Sequence, residues 1–163
     1  MDSHNAIVQQ VSARVKKFHD DKKPFYIYHG FTNNLTRPSK KSTSNTIDPS
    51  GPNRVLGIDR TRKVALVERN TPIDMLVNAI LPHGFIPPVV MEYPGITVGG
   101  GLAGRPGESS SYEYGFFDRT ISWIEIVIGN GEVLHALPTD NSELFIGAAC
   151  SFGTLGIATL LEL

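Results

Sequence analysis

Residues Thr97-Val98-Gly99-Gly100-Gly101-Leu102-Ala103-Gly104 place four glycines within the six positions 99–104. Glycine loses more backbone entropy on folding than any other residue, so such a run persists only where missing side chains gain something. Two gains are open. A flat ligand, or its phosphates, can lie directly on the backbone, or two chain segments can cross tightly inside the protein. Ser109-Ser110-Ser111 follow closely and supply short hydroxyl donors of the kind that reach phosphate oxygens. Further on, Phe152-Gly153-Thr154-Leu155-Gly156-Ile157 brackets a bend into an apolar strand, where a bulge or turn is the plain alternative. Most of the 16 glycines of this 163-residue chain lie between Gly95 and Gly156.

A third stretch lies upstream. His29-Gly30-Phe31-Thr32-Asn33-Asn34 leaves a short strand, and Gly30 permits close backbone approach. Successive N–H groups there, with the Thr32 hydroxyl and the Asn33 and Asn34 amides, can surround a phosphate; a polar turn is the alternative. The loop matches neither the Walker pattern nor the dinucleotide G-x-G-x-x-G fingerprint. Charge distribution favours the anion. Residues 1–80 hold 13 basic and 7 acidic side chains, or +6, and residues 81–163 hold 2 and 9, or −7.

The same composition excludes several classes. A net charge of −1 argues against a dedicated nucleic-acid binder. The single cysteine, Cys150, rules out an internal disulfide framework, and its apolar neighbours at a helix end suggest a buried structural thiol. The five histidines lack metal-ligand spacing, and no G-x-S-x-G elbow supports a serine hydrolase. The N-terminus has no basic region followed by an apolar core, and no apolar run approaches the ~20 residues that span a bilayer. A soluble, cytoplasmic protein is the expectation.

Along the chain, Ile7, Val8, Val11, Val15 and Phe18 form one helical stripe over residues 5–20, with Ser3 a possible cap. Residues 24–28 read as a short strand and 38–53 as loop. Residues 53–59 and 63–70 read as two strands around a charged turn. Lys40-Lys41 and Arg60–Lys63 read as solvated loops. Thr71 as cap, Pro72 in the first turn and Asp74 at the positive dipole end predict a helix ended by Pro82 and Gly84. After a proline-rich crossing at 85–94 and the glycine- and serine-rich loop, residues 121–137 read as a hairpin. Its Asn130-Gly131 favours a primed turn, and Trp123 is read as core. A helix opening at Pro138-Thr139-Asp140 and a final apolar strand complete an α+β pattern in two small lobes.

Taken in order, the His-Gly-x-Thr-Asn loop, then PGITVGGGLAGRPGESSSYEYG, the hairpin and FGTLGI resemble the FAD-binding domain of the vanillyl-alcohol-oxidase family, also called PCMH-type. The likeness covers residues 24–163. Within the family it is greatest to the delta(24)-sterol reductase branch, through Thr97–Gly100, Glu108–Ser111 with Tyr114-Gly115, and Gly153–Gly156. The resemblance implies two α+β lobes with FAD between them. Gly30, Phe31, Thr32, Asn33 and Asn34 would wrap the pyrophosphate. Thr97, Val98, Gly99, Gly100, Gly104, Ser109, Ser110, Tyr114 and Gly115 would line the pyrophosphate, ribityl chain and flavin. Gly153, Thr154, Gly156 and Ile157 would pass near the ribityl chain or adenine side.

Covalently flavinylated members carry a histidine where this loop has Asn33, which implies non-covalent FAD. Complete members add a substrate-binding cap domain, so the chain reads as a truncated cofactor cradle. The division implied is an N-terminal helix at 1–23 packing on the first lobe, that lobe at 24–90, and the second lobe at 91–163. The expected role is the FAD-binding domain of an FAD-linked oxidoreductase moving hydride between flavin and an unknown small-molecule substrate. A flavoprotein-like binding module or cyclase without redox chemistry is the alternative. Without a cap, the exposed flavin face makes a homodimer an expectation.

Overall fold

A computed structural model describes residues 1–28, 42–93 and 95–163. The chain folds as α+β around two sheets. Helix α1 (Asp2–Asp20) comes first, then β1 (Tyr26–Ile27), β2 (Thr46–Ile47), β3 (Val55–Asp59), β4 (Val64–Glu68) and α2 (Ile73–Ile80). Two short helices follow, α3 (Val98–Gly104) and α4 (Ser111–Tyr114), then β5 (Trp123–Ile128), β6 (Val133–Ala136), α5 (Ser142–Ala148) and β7 (Gly156–Glu162). Strands β1 and β2 pair in parallel as a small sheet; the second sheet runs β3-β4-β7-β5-β6, with antiparallel neighbours. The larger sheet therefore draws strands from both sides of residue 90.

The final apolar strand becomes the centre of that sheet. Strand β7 is buried from Ile157 to Glu162, between β4 and β5, which is why it reads as a continuous apolar run rather than an alternation. One face of the sheet carries the main core: Val67, Leu76, Val98, Phe117, Ile124 and Leu161 are all fully or nearly fully buried. The other face packs on α1 through Val8, Val11, Val15 and Phe18, meeting Val127 and Ile157. Helix α1 is also pinned at the β5–β6 turn, where the Ser12 hydroxyl donates to the Gly131 carbonyl at 2.6 Å.

A polar cluster is buried under the N-terminal turn of α1. His4 is fully buried, with Nδ1 3.1 Å from Glu68 Oε1 and Nε2 3.0 Å from Glu125 Oε1. Arg54 donates to Glu68 from its backbone and guanidinium, and Thr159 donates its hydroxyl to Glu125 at 2.5 Å. Burial favours the neutral Glu68 carboxyl, but the hydrogen bonds from Arg54 and His4 outweigh it and hold its pKa below the ordinary value. A lowered folded pKa means that this stability is present above the unfolded carboxylate pKa and is lost as pH falls through the folded value. Circular dichroism should therefore show acid unfolding setting in below about pH 4, with a flatter pH dependence in Glu68→Gln.

Several local expectations are corrected. The segment 38–53 contains β2, whose two residues are too few to show a period. Residues 95–115 contain α3 and α4 despite glycine's poor helix propensity. Ser3 does not cap α1, which begins at Asp2; its hydroxyl accepts from Arg54 at 2.8 Å. Thr71 does not cap α2, because Pro72 occupies the N-cap position. Helix α5 starts at Ser142, since Leu137 and Asp140 pair their backbones in a turn first. Arg62 is not simply solvated: it grips Glu162 with two bonds of 2.7 and 2.9 Å. The β5–β6 turn is not primed either. Asn130 lacks a positive φ, and only Gly131 (φ 90°) takes the left-handed conformation.

Candidate functional site

Helix α3 and the Phe152–Ile157 stretch meet in the fold. The Cys150 and Phe152 N–H groups donate to the Leu102 and Ala103 carbonyls at 3.1 Å each, tying the Phe152–Gly156 bend to the helix's end. That bend also abuts β1: a Cβ on Gly153 would stand 2.7 Å from the Ile27 side chain. Strand β1 leads toward the His29–Asn34 loop, whose Gly30, Phe31, Thr32, Asn33 and Asn34 lie outside the described residues. The backbone here is unusual. Cys150, Phe152 and Gly153 all have positive φ (60°, 50° and 79°), a conformation that costs energy at the two non-glycine positions. Cys150 is exposed, contrary to the expected buried thiol.

The glycines divide by what lies beside them. Gly99 and Gly101 serve an internal crossing: an added Cβ would sit 2.9 Å from the Arg69 carbonyl oxygen and 2.6 Å from the Phe117 ring. A Cβ on Gly156 would meet the Val127 carbonyl at 2.6 Å, within the sheet. Gly104 is different. Nothing lies within 4 Å of its would-be Cβ, and Gly100 meets only its neighbours Thr97 and Ile96. So the internal crossing accounts for Gly99 and Gly101, and Gly104 of the same helix faces open space.

The first turn of α3 has no free donors. Its Val98 N–H bonds to the Thr71 carbonyl and its Gly99 N–H to the Arg69 carbonyl. The Gly100 N–H takes the Thr97 hydroxyl at 3.1 Å as an N-cap, which the sequence reading did not foresee. Val98 and Ile157 are buried in the core. Among the remaining expected residues, Ser110 donates its hydroxyl to the Pro88 carbonyl, Ser109 is exposed, and Thr154 donates to the Ser151 carbonyl. Tyr114 is exposed at the end of α4, and Gly115 closes that helix with φ 78°.

Two residues missed in the sequence reading stand beside this crossing. Arg69 is only 4 % exposed and its Nε and Nη1 have no partner; the buried Thr71 hydroxyl also has none. Arg69 and Thr71 belong to an unbroken buried run from Val67 to Thr71, which no sequence period marks. Among the described residues no cluster of His, Cys, Asp and Glu fits a metal ion. No described helix is long and apolar enough to cross a membrane.

A family model described as an FAD binding domain matches residues 6–137. The chain belongs to the FAD binding domain family. The delta(24)-sterol reductase of Homo sapiens is 31% identical over 109 residues, covering 67% of this chain and 21% of that protein. The pea (Pisum sativum) protein of the same name is 30% identical over 168 residues, covering 98% of this chain and 29% of its own length. The decaprenylphosphoryl-beta-D-ribose oxidase of Mycolicibacterium smegmatis is 31% identical over 112 residues, 68% of this chain and 24% of that protein. The chain thus spans less than a third of these curated relatives. For an FAD binding domain, the open glycine backbone at the end of α3 fits a dinucleotide, whose flat ring and phosphates approach bare backbone closely.

Proposed function

We propose that this FAD binding domain holds FAD non-covalently along the outer side of α3 and the Cys150–Gly156 bend, as the cofactor half of an FAD-linked oxidoreductase. The observation that carries this reading is the meeting of α3 with the Cys150–Gly156 bend, with Gly104 at the end of the helix facing open space. Gly100 and Gly104 leave backbone for close approach, and Gly115 and Gly153 supply the positive φ that shapes the chain around it. Ser109, Ser110, Thr154 and Tyr114 supply polar groups around it. Thr97, Val98, Gly99, Gly156 and Ile157 act one step back, by capping α3 and packing it against the sheet. Gly30, Phe31, Thr32, Asn33 and Asn34 are assigned to the pyrophosphate on the family resemblance, and Asn33 in place of histidine supports a non-covalent cofactor.

Bound FAD supplies hydride transfer to or from a carbon of an organic substrate. The chain's own part is to bind and orient the cofactor and to exclude water from its protein-facing side. Relatives named as a sterol reductase and a ribose oxidase support the oxidoreductase class without selecting a substrate. Purified protein reconstituted with FAD should show the two absorption bands of oxidised flavin after desalting. Acid precipitation should release all of the colour into the supernatant. Protein that stays colourless overturns the reading; colour retained in the pellet overturns the non-covalent part of it.

A further inference from the structure

Among the described residues, the non-glycine positions with positive φ are Lys22, Lys63, Arg105, Asn141, Cys150 and Phe152. Lys22, Lys63 and Arg105 are exposed cations, and asparagine is one of the few side chains that tolerates this conformation. Phe152 is the one aromatic among them, at φ 50°. A bulky side chain held there is strained, and such strain persists only where the surroundings fix it. Here they do. The Phe152 N–H donates to the Ala103 carbonyl at 3.1 Å, the Cys150 N–H to the Leu102 carbonyl at 3.1 Å, and the Thr154 N–H to the Ser151 carbonyl at 3.0 Å.

Nothing inside the protein offsets that strain through the ring. Phe152 is 57% exposed, so its phenyl group adds little to the core. The aromatic contacts among the described residues pair Phe18 with Phe25 and Trp123 with His135, and the cations facing rings stand over Phe18 and Phe116. Phe152 takes part in none of them. Its backbone is nevertheless tied to Ala103, one residue before Gly104, which is exposed and has open space where a Cβ would stand. An unpaired aromatic side chain is thus anchored beside bare backbone, on the side of α3 already assigned to the cofactor.

We infer that Phe152 is a stacking contact for a planar ring of bound FAD, its phenyl group lying against the ring while the backbone around Gly104 lets the cofactor approach. This rests on the FAD reading above and assigns one residue within it. FAD carries two such rings, the isoalloxazine and the adenine, and both present a π-face that an aromatic side chain stacks on. The contact also explains why a phenylalanine occupies a left-handed position: its strain is offset by a ligand rather than by the core.

The test is a calorimetric titration of wild type, Phe152→Asn and Phe152→Trp with FAD, ADP and riboflavin, beside thermal melts of the ligand-free proteins. Phe152→Asn should lose about fivefold to a hundredfold in affinity for FAD, the range that stacking on an aromatic side chain supplies. It should lose as much for one of the two part-ligands and stay within about twofold of wild type for the other. A loss for riboflavin places Phe152 at the isoalloxazine; a loss for ADP places it at the adenine. Phe152→Trp, which keeps an aromatic face, should bind all three like wild type. Ligand-free Phe152→Asn should melt no lower than wild type, because asparagine tolerates the left-handed conformation and the exposed ring adds little to the fold.

Wild type that binds FAD while Phe152→Asn binds it equally well overturns this assignment and leaves the FAD reading standing. Equal losses for ADP and riboflavin also overturn it, since one side chain cannot stack on both ends of the cofactor and the site as a whole has changed. So does a Phe152→Trp protein as weak as Phe152→Asn, which shows that size rather than an aromatic face matters. A Phe152→Asn protein that fails to fold, or melts well below wild type, shows the ring serving the fold and overturns the assignment too. Wild type that binds no FAD overturns both readings.

Discussion

Replacing His4 with leucine should destabilise the protein by about 3–5 kcal/mol at neutral pH, read as a drop in the urea midpoint with an unchanged slope. The imidazole is fully buried and bridges two carboxylates contributed by β4 and β5. Each ring nitrogen faces one carboxylate oxygen, at 3.1 and 3.0 Å. Leucine has a similar volume and preserves the packing of α1, so the loss is electrostatic. Glu68 keeps Arg54, but Glu125 is left with the Thr159 hydroxyl and His135, which stands 3.8 Å away. Because the penalty comes from unpaired carboxylates, it should shrink as they protonate. The variant and wild-type stability curves should converge toward acid pH. Equal stability at pH 7 would show that His4 merely fills space.

The second large effect is expected at Gly156. An alanine there would place its Cβ 2.6 Å from the Val127 carbonyl oxygen and 2.9 Å from the Ile126 side chain. The obstructing oxygen belongs to a neighbouring strand backbone and moves only if the central pairing of β5 with β7 moves too. Overpacking of this kind costs about 1–3 kcal/mol, and a backbone obstruction places Gly156→Ala at the upper end. Gly104→Ala is the matched contrast. With open space around it, and alanine the better helix former by up to about 1 kcal/mol, the ligand-free fold should be unharmed or slightly stabilised. FAD affinity should nevertheless fall, because the methyl group occupies the surface proposed for the cofactor. A Gly104→Ala protein that binds FAD like wild type moves the ligand off this part of α3.

Much of this architecture was legible from local pattern. The apolar stripe of α1 and α2 with its Pro82–Gly84 stop follow from a period of 3.6, and β3, β4, β5, β6 and β7 from short apolar, β-branched runs bounded by turn residues. The small sheet was not legible, because a two-residue parallel pair such as Tyr26–Ile27 with Thr46–Ile47 has no period to detect. Helix α3 was hidden for a different reason. Its glycines argue against a helix by propensity, and only packing onto Arg69, Met91 and Phe117 makes that conformation worth adopting.

The sequence by itself determined the α+β class, the order of the elements and the kind of ligand, since motif order and residue chemistry are properties of the chain. Tertiary structure alone decided which glycines face protein and which face open space. A glycine run looks the same in both cases, and the difference lies in whether Phe117 or nothing stands beside the missing Cβ. It alone also revealed Arg69. Arginine at the end of a strand is ordinary until the fold closes over it and leaves its charge unmatched, and that condition depends on every neighbour that did not supply an acceptor.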